Sequence, residues 1–353
     1  MKKVKTAFVT GGAGFIGSHL SELLLDEDWK VKVLVREGDM HRAYNDTVYD
    51  EVIEMLKNKG AEIYYGDLKD VKTFSEGLSQ VDVVFHVAGV AYPYYGLPDE
   101  IYFRINTEAT INLANLCEEE NVKRFVYISS IEAAGPSLDG RPLTESSSRH
   151  PTDAYGMSKK KSEDYLLNFN KNSKMGVSIV RPPMTYGERS PLLSRAFNVI
   201  KLGYFPMFGK KDAYFEFCYV KNLVNGIYLA GVKEEAIGNV YFISEESYKI
   251  IETMEKIGQE IGNEIKIIRI PKNIAYKLGQ FMEILSEILP FYPFRGDEIG
   301  SPLFSRKTVD WVTNDQYICS TKKARSHLGY APKYTREQGI RNLTNWYREK
   351  GII

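Results

Sequence analysis

Cysteine is scarce in this chain: Cys117, Cys218 and Cys319 are the three in 353 residues. An odd number with no CxxC pair excludes a disulfide framework and a ribbon-type metal site, and fits a reducing compartment. Histidine is scarce too, and His19, His41, His86, His150 and His327 are too scattered to form a metal centre. Net charge is lacking, with 46 Lys and Arg against 46 Asp and Glu. A nucleic-acid binder would usually carry a basic excess, so that class is set aside. No uncharged apolar run reaches the roughly 20 residues of a membrane span. The opening, Met1-Lys2-Lys3-Val4-Lys5, leads straight into a strand-like run without the apolar core of a secretory leader. The expectation is a cytoplasmic protein.

What the chain does have is alternation. Short apolar runs at 6–10, 31–35, 62–65, 81–86, 124–129 and 178–181 read as buried strands. Stretches with helical spacing at 18–28, 105–119 and 154–169 lie between them. Strands alternating with helices predict a doubly wound parallel sheet with helices on both faces. The pattern loosens after Pro182-Pro183, where aromatics and prolines gather at 204–217 and 290–294. Residues 1–183, with 217–243 returning to them, therefore read as one domain. Residues 184–216 and 244–353 read as a smaller α/β substrate-binding domain.

The segment Thr10-Gly11-Gly12-Ala13-Gly14-Phe15-Ile16-Gly17 follows the first strand and precedes a helix and a second strand. Its spacing, Gly11-x-x-Gly14-x-x-Gly17, lets backbone approach a pyrophosphate. The helix behind it, opening near Phe15 and Ile16, aims free N–H groups at the phosphates. This is a Rossmann-type dinucleotide site. The second strand ends in Val35-Arg36-Glu37. An acid there suits the ribose hydroxyls of NAD, whereas Arg36 favours the 2′-phosphate of NADP. NADP(H) is the preferred cofactor, with NAD(H) retained as the alternative should Glu37 or Asp39 take the acidic role.

Tyr155 and Lys159 stand four residues apart, on one face of a helix. A phenol titrates near pH ~10, and a neighbouring ammonium favours its ionised form. Ser129 and Ser130 end a strand upstream, where doubly wound sheets bind ligands. Tyr155, Lys159 and one serine hydroxyl thus read as a proton-transfer set.

These residues together resemble an extended short-chain dehydrogenase/reductase. The matching positions are Thr10 to Gly17, Gly66-Asp67-Leu68, His86-Val87-Ala88-Gly89, Asn106, Ser129-Ser130, Tyr155 to Lys159 and Arg181-Pro182-Pro183. The resemblance implies that Asp67 and Leu68 contact the adenine and that Val87, Ala88 and Gly89 line the cofactor. It implies that Ser130, five residues before Gly135, completes a triad with Tyr155 and Lys159. Pro182 lies where the family's strand leads to the nicotinamide, and Asn106 has a supporting role. The run from Phe125 to Pro136 is similar to the 3β-hydroxysteroid dehydrogenase and sterol-4-carboxylate 3-dehydrogenase branch. So are Cys319 to Arg325, Leu328 to Pro332 and Glu337 to Ile340.

Hydride transfer to or from a secondary alcohol or ketone on an apolar, sterol-like or acyl substrate is the preferred activity. A nucleotide-sugar epimerase or dehydratase is the first alternative. Those relatives often carry Arg-Asp where this chain has Phe215-Glu216, and guanidinium forks suit diphosphates. Dehydratases use an acidic pair after the triad hydroxyl, and Glu132 supplies only the second member. A non-catalytic dinucleotide sensor is the second alternative. Ile274, Leu278, Phe281, Leu285 and Leu289 recur at helical spacing, as an ordinary packed helix, a lid or a peripheral membrane contact through 274–294. The resemblance also implies a homodimer through helices near 105–119 and 154–169.

Overall fold

A computed structural model describes residues 4–36, 46–90, 97–190, 193–209, 214–288, 295–296, 301–302, 305–313 and 316–353. Glu37, Asp39, His41, Leu289 and 290–294 lie outside them.

Seven parallel strands form the central sheet. Six come in order: β1 Thr6–Thr10, β2 Lys30–Val35, β3 Glu62–Tyr65, β4 Val83–His86, β5 Arg124–Ile128 and β6 Gly176–Arg181. Their order across the sheet, β6-β5-β4-β1-β2-β3, reverses direction between β1 and β4. Ligands of open α/β sheets bind at such a reversal, beyond the carboxyl ends of the strands. The chain then leaves the sheet through β7 Met184–Tyr186, β8 Tyr204–Phe208 and β9 Tyr214–Tyr219. It returns as β10 Asn239–Phe242, which pairs in parallel with β6 as the seventh strand. Strands β11 Ser247–Lys249 and β12 Lys266–Ile270 follow. β7, β9 and β11 make a three-stranded sheet, and β8 pairs with β12.

The helices are α1 Phe15–Asp26, α2 Asp46–Asn58, α3 Asp99–Tyr102, α4 Ala109–Glu119, α5 Ala154–Asn172 and α6 Ser194–Lys201. They continue as α7 Val220–Val232, α8 Ile250–Ile261, α9 Lys272–Ile288, α10 Arg306–Thr313, α11 Lys322–Leu328 and α12 Arg336–Glu349. One buried apolar cluster runs from Val9, Val33 and Phe85 of the central sheet through Ile227 to Ile257 and Tyr347. The C-terminal part therefore shares a core with the central sheet.

Element bounds shift by a few residues throughout, and two differences carry a physical reason. Helix α1 starts at Phe15, not at residue 18. Gly17 looks like part of a turn, but it lies inside the helix, where a Cβ would stand 2.1 Å from the Gly11 carbonyl oxygen. The glycine is there for close packing of helix on loop. Helix α2 has no counterpart in the sequence reading, although its Val52, Ile53 and Leu56 point inward at helical spacing.

Candidate active site

The carboxyl ends of β1 to β6 hold nearly every residue singled out from the sequence. Gly11 has φ +63°, a conformation glycine tolerates, and a Cβ there would sit 2.9 Å from Ala88 Cα. Gly14 caps α1 with extended backbone, and its N–H donates to the Gly11 carbonyl at 2.9 Å. Phe15 and Ile16 form the first turn, half-buried, with the helix N-terminus opening beside the reversal point. Val87 and Ala88 are half-buried and Gly89 is exposed, following β4. Across the turn, Arg36 Nη2 lies 3.6 Å from Asp67 Oδ2, and Lys69 Nζ lies 3.1 Å from the same oxygen. Leu68, half-buried, adjoins that carboxylate. Pro182 is buried beyond β6, and its carbonyl accepts the Ile131 N–H at 2.9 Å. These residues fit a dinucleotide: side-chain-free backbone at the helix N-terminus, cations at one end, and at the other the buried Ser129 Oγ, which has no hydrogen-bond partner.

Tyr155, Ser130 and Lys159 meet at the end of β5. Asp153 starts α5 by accepting the Gly156 N–H at 2.7 Å, which sets Tyr155 in its first turn. Tyr155 is 7% exposed. Val90 and Tyr102 pack around it, with Leu97, Ile101 and Ile105 behind them. The Tyr102 ring stands edge-on at 6.3 Å between centroids. Residues 91–96, between these wall positions, lie outside the described residues. Ser130 Oγ accepts the Glu132 N–H at 3.1 Å, capping a short turn that holds the hydroxyl facing the phenol.

The electrostatics differ from the sequence expectation. Burial pushes the Tyr155 phenol above its ordinary value, the Ser130 hydroxyl opposes this, and Glu132, Asp153 and Tyr102 add to the rise. The sequence reading has Lys159 pulling the phenol down. Instead its Nζ turns to the Ile128 carbonyl at 2.8 Å and stands 4.9 Å above the Tyr127 ring. Burial lowers Lys159 itself to about 8, against a partial rise from Glu163. Glu163 is the carboxylate the sequence reading missed. It receives Arg181 Nε at 2.9 Å and Nη2 at 2.6 Å, plus Arg149 Nη1 at 3.0 Å. This buried pair locks α5 onto the end of β6.

A second network joins the glycine turn to α5. Thr110 Oγ1 donates to the Asn106 carbonyl at 2.6 Å, so it accepts from His86 Nε2 at 2.9 Å. His86 Nδ1 therefore accepts from Thr10 Oγ1 at 2.8 Å, and Thr10 Oγ1 accepts the Ala88 N–H at 3.1 Å. Burial, with Lys159 adding, holds His86 near pKa 3, so the imidazole is neutral. Asn106 sits in a π-helical turn, clamps both backbone groups of Val90 at 2.8 and 3.1 Å, and donates to Ser158 at 3.1 Å. Replacing His86 with Phe leaves two buried hydroxyls short of partners. The expected outcome is a loss of about 2–3 kcal/mol in urea unfolding, with dinucleotide KM raised more than kcat is lowered. An unchanged unfolding midpoint would remove the network's role.

The fold and this set of groups define an extended short-chain dehydrogenase/reductase. The chain belongs to the NAD dependent epimerase/dehydratase family, which matches residues 7–244. It is 30% identical to an uncharacterized protein, y4nL, of Sinorhizobium fredii, over 97% of this chain and 95% of that one. It is 26% identical to the decarboxylating sterol-4-alpha-carboxylate 3-dehydrogenase of Candida albicans, over 99% of both. Among solved structures it is similar to UDP-glucuronic acid 4-epimerase of Bacillus cereus in complex with UDP-glucuronic acid and NAD. That likeness has a TM-score of 0.74, 21% identity and coverage of 98% of this chain and 99% of that one, and is one of fold. Among the described residues, no three His, Cys, Asp or Glu side chains gather to hold a metal, and no helix is long and apolar enough to cross a membrane.

Proposed function

We propose that this protein is a dehydrogenase or reductase that moves a hydride between a nicotinamide dinucleotide and a secondary alcohol or ketone on an apolar substrate. The observation that carries it is the wall of Val90, Tyr102, Leu97, Ile101 and Ile105 around the Tyr155 phenol. In oxidation Tyr155 takes the proton from the substrate hydroxyl, and in reduction it returns one to the carbonyl oxygen. Ser130 orients that oxygen and stabilises the charge it gains. Lys159, as the cation below, favours the phenolate once substrate and cofactor exclude water. The bound dinucleotide supplies the hydride acceptor or donor. Gly11, Gly14, Phe15, Ile16 and Gly17 hold its pyrophosphate, and Val87, Ala88, Gly89 and Pro182 line its path to the phenol.

A second reading, nucleotide-sugar epimerisation or dehydration, draws on the same triad and on relatives of that kind. The site weighs against it at residue 215. Phe215 is a buried phenyl where an arginine would meet a diphosphate. Glu216 beside it is buried, accepting from Ser244 Oγ at 2.6 Å, from Ser247 Oγ, and from the Cys319 N–H at 3.2 Å. A steady-state comparison separates the two, with sterol and acyl secondary alcohols read as nicotinamide absorbance and UDP-sugars, whose conversion leaves the nicotinamide unchanged overall, read as sugar products by chromatography. Turnover on UDP-sugars alone would overturn the preferred reading.

We assign NADP(H) as the preferred cofactor, because Arg36 and Lys69 bring two cations to the ends of β2 and β3. Arg36→Asp is expected to lower kcat/KM with NADP by about tenfold, the value of one lost charge-assisted contact, while changing NAD use little. Equal losses with both cofactors would refute the assignment. We further propose a cytoplasmic homodimer that joins through α4 and α5.

A further inference from the structure

Helix α9 is built inside out. Four of its large apolar side chains face away from the protein, Ile274 at 48% exposed, Leu278 44%, Phe281 56% and Ile284 47%, while Met282 and Leu285 are half-buried. Its inward face carries Ala275, Gly279 and Glu283. That face is fixed in register. A Cβ on Gly279 would lie 2.8 Å from the Arg306 nitrogen, so α10 rests directly on the glycine. Glu283 accepts both the Arg306 N–H at 2.8 Å and its Nε at 2.7 Å. Rolling the helix to hide the stripe would drive phenyl and isobutyl groups into backbone and strand a buried carboxylate. The packing thus holds the stripe outward, and a contiguous exposed apolar face marks a contact surface.

Charge identifies what the face meets. At 100° per residue, Lys277 falls between Phe281 and Ile284 on the same stripe, and Glu283, the acid nearest in sequence, is turned inward. In the preceding strand β12, Lys266 and Ile268 are exposed on one side and Arg269 on the other. Among the described side chains the stripe carries no acid that a second copy could set against Lys277. An anionic bilayer surface accepts both features, with acyl chains taking the stripe and phosphates taking lysine heads that snorkel outward. The helix is linked to the site through α10, on which it packs. Lys307 of α10 donates to Asp153 Oδ2 at 2.6 Å, and the other oxygen of Asp153 caps α5 just before Tyr155.

We propose that the outward face of α9 docks the protein on anionic lipid surfaces, so that an apolar substrate passes from bilayer to the Tyr155 wall. The purpose rests on the apolar-substrate reading, but the docking itself is measured without turnover. Flotation of the full chain with phosphatidylcholine vesicles, with and without phosphatidylglycerol, is the test. The expected result is strong co-flotation with phosphatidylglycerol and weak co-flotation without it. Leu278→Ser with Phe281→Ser should weaken it about tenfold or more, and Lys277→Glu should remove the preference for phosphatidylglycerol. Phe281→Trp should show an emission blue shift on adding vesicles, which reads the face directly if the double variant folds poorly. No flotation on either vesicle, or an unshifted emission from the Phe281→Trp variant, overturns the proposal. So does sedimentation showing self-association that the double variant abolishes in the absence of lipid binding.

Discussion

Tyr155→Phe is expected to lower kcat by about a thousandfold or more, the upper range for loss of a positioned general acid or base. Dinucleotide affinity should stay within a few-fold of wild type. The reasoning is geometric. The hydroxyl is the only group removed, and it meets Ser130 while the ring packs among apolar neighbours, whereas the glycine turn and the Arg36 end are untouched. The ring remains packed against Tyr102, so stability should change little. Cofactor titration by fluorescence alongside single-turnover kinetics checks both halves. Turnover within tenfold of wild type would remove Tyr155 from the proton-transfer role.

Lys159→Met should do two things in opposite directions. Turnover should fall at least a hundredfold on the proposed role, in which Lys159 favours the phenolate once substrate and cofactor exclude water. Stability should rise. Burial holds Lys159 at about 8 instead of the usual 10.5. A lysine whose folded value lies below its unfolded one makes the unfolded state bind more protons between those pH values. Stability from this group therefore climbs as pH rises from about 8 towards 10.5, and below pH 8 its charge is a constant cost. Removing it should stabilise the chain by about 1–3 kcal/mol at pH 7, with the advantage shrinking as pH approaches 10. Paired urea titrations at several pH values read this. A variant less stable than wild type at pH 7 would show that the Ile128 hydrogen bond outweighs the burial of charge.

The fold was legible from the sequence where periodicity was strong. Six of the seven central strands read directly as apolar runs; β1, β4, β5 and β6 are buried almost throughout and leave no polar alternation to blur them, whereas β2 and the edge strand β3 are part-exposed. The glycine turn and the Tyr155–Lys159 pair were legible because they are local. What escaped was set by contacts between distant segments. Nothing near residue 163 says that Glu163 will meet Arg181 and Arg149. Nothing near residue 102 says that Tyr102 will stand against Tyr155. The direction of the α9 stripe also escaped, since helical spacing shows that one face is apolar but not which way it points. The small residues Ala275 and Gly279 opposite the stripe were the available sign that its other side was the packed one.

The route of β10 constrains how the molecule can be divided. The chain completes its central sheet only after an excursion of more than fifty residues, from Arg181 to Asn239, through the other half. A cut anywhere within that excursion strands an edge strand on the wrong fragment and exposes β6. A graft that exchanges substrate specificity by taking a whole C-terminal segment from a relative therefore has to keep the β6–β10 pairing, and so has to account for α7 and β10.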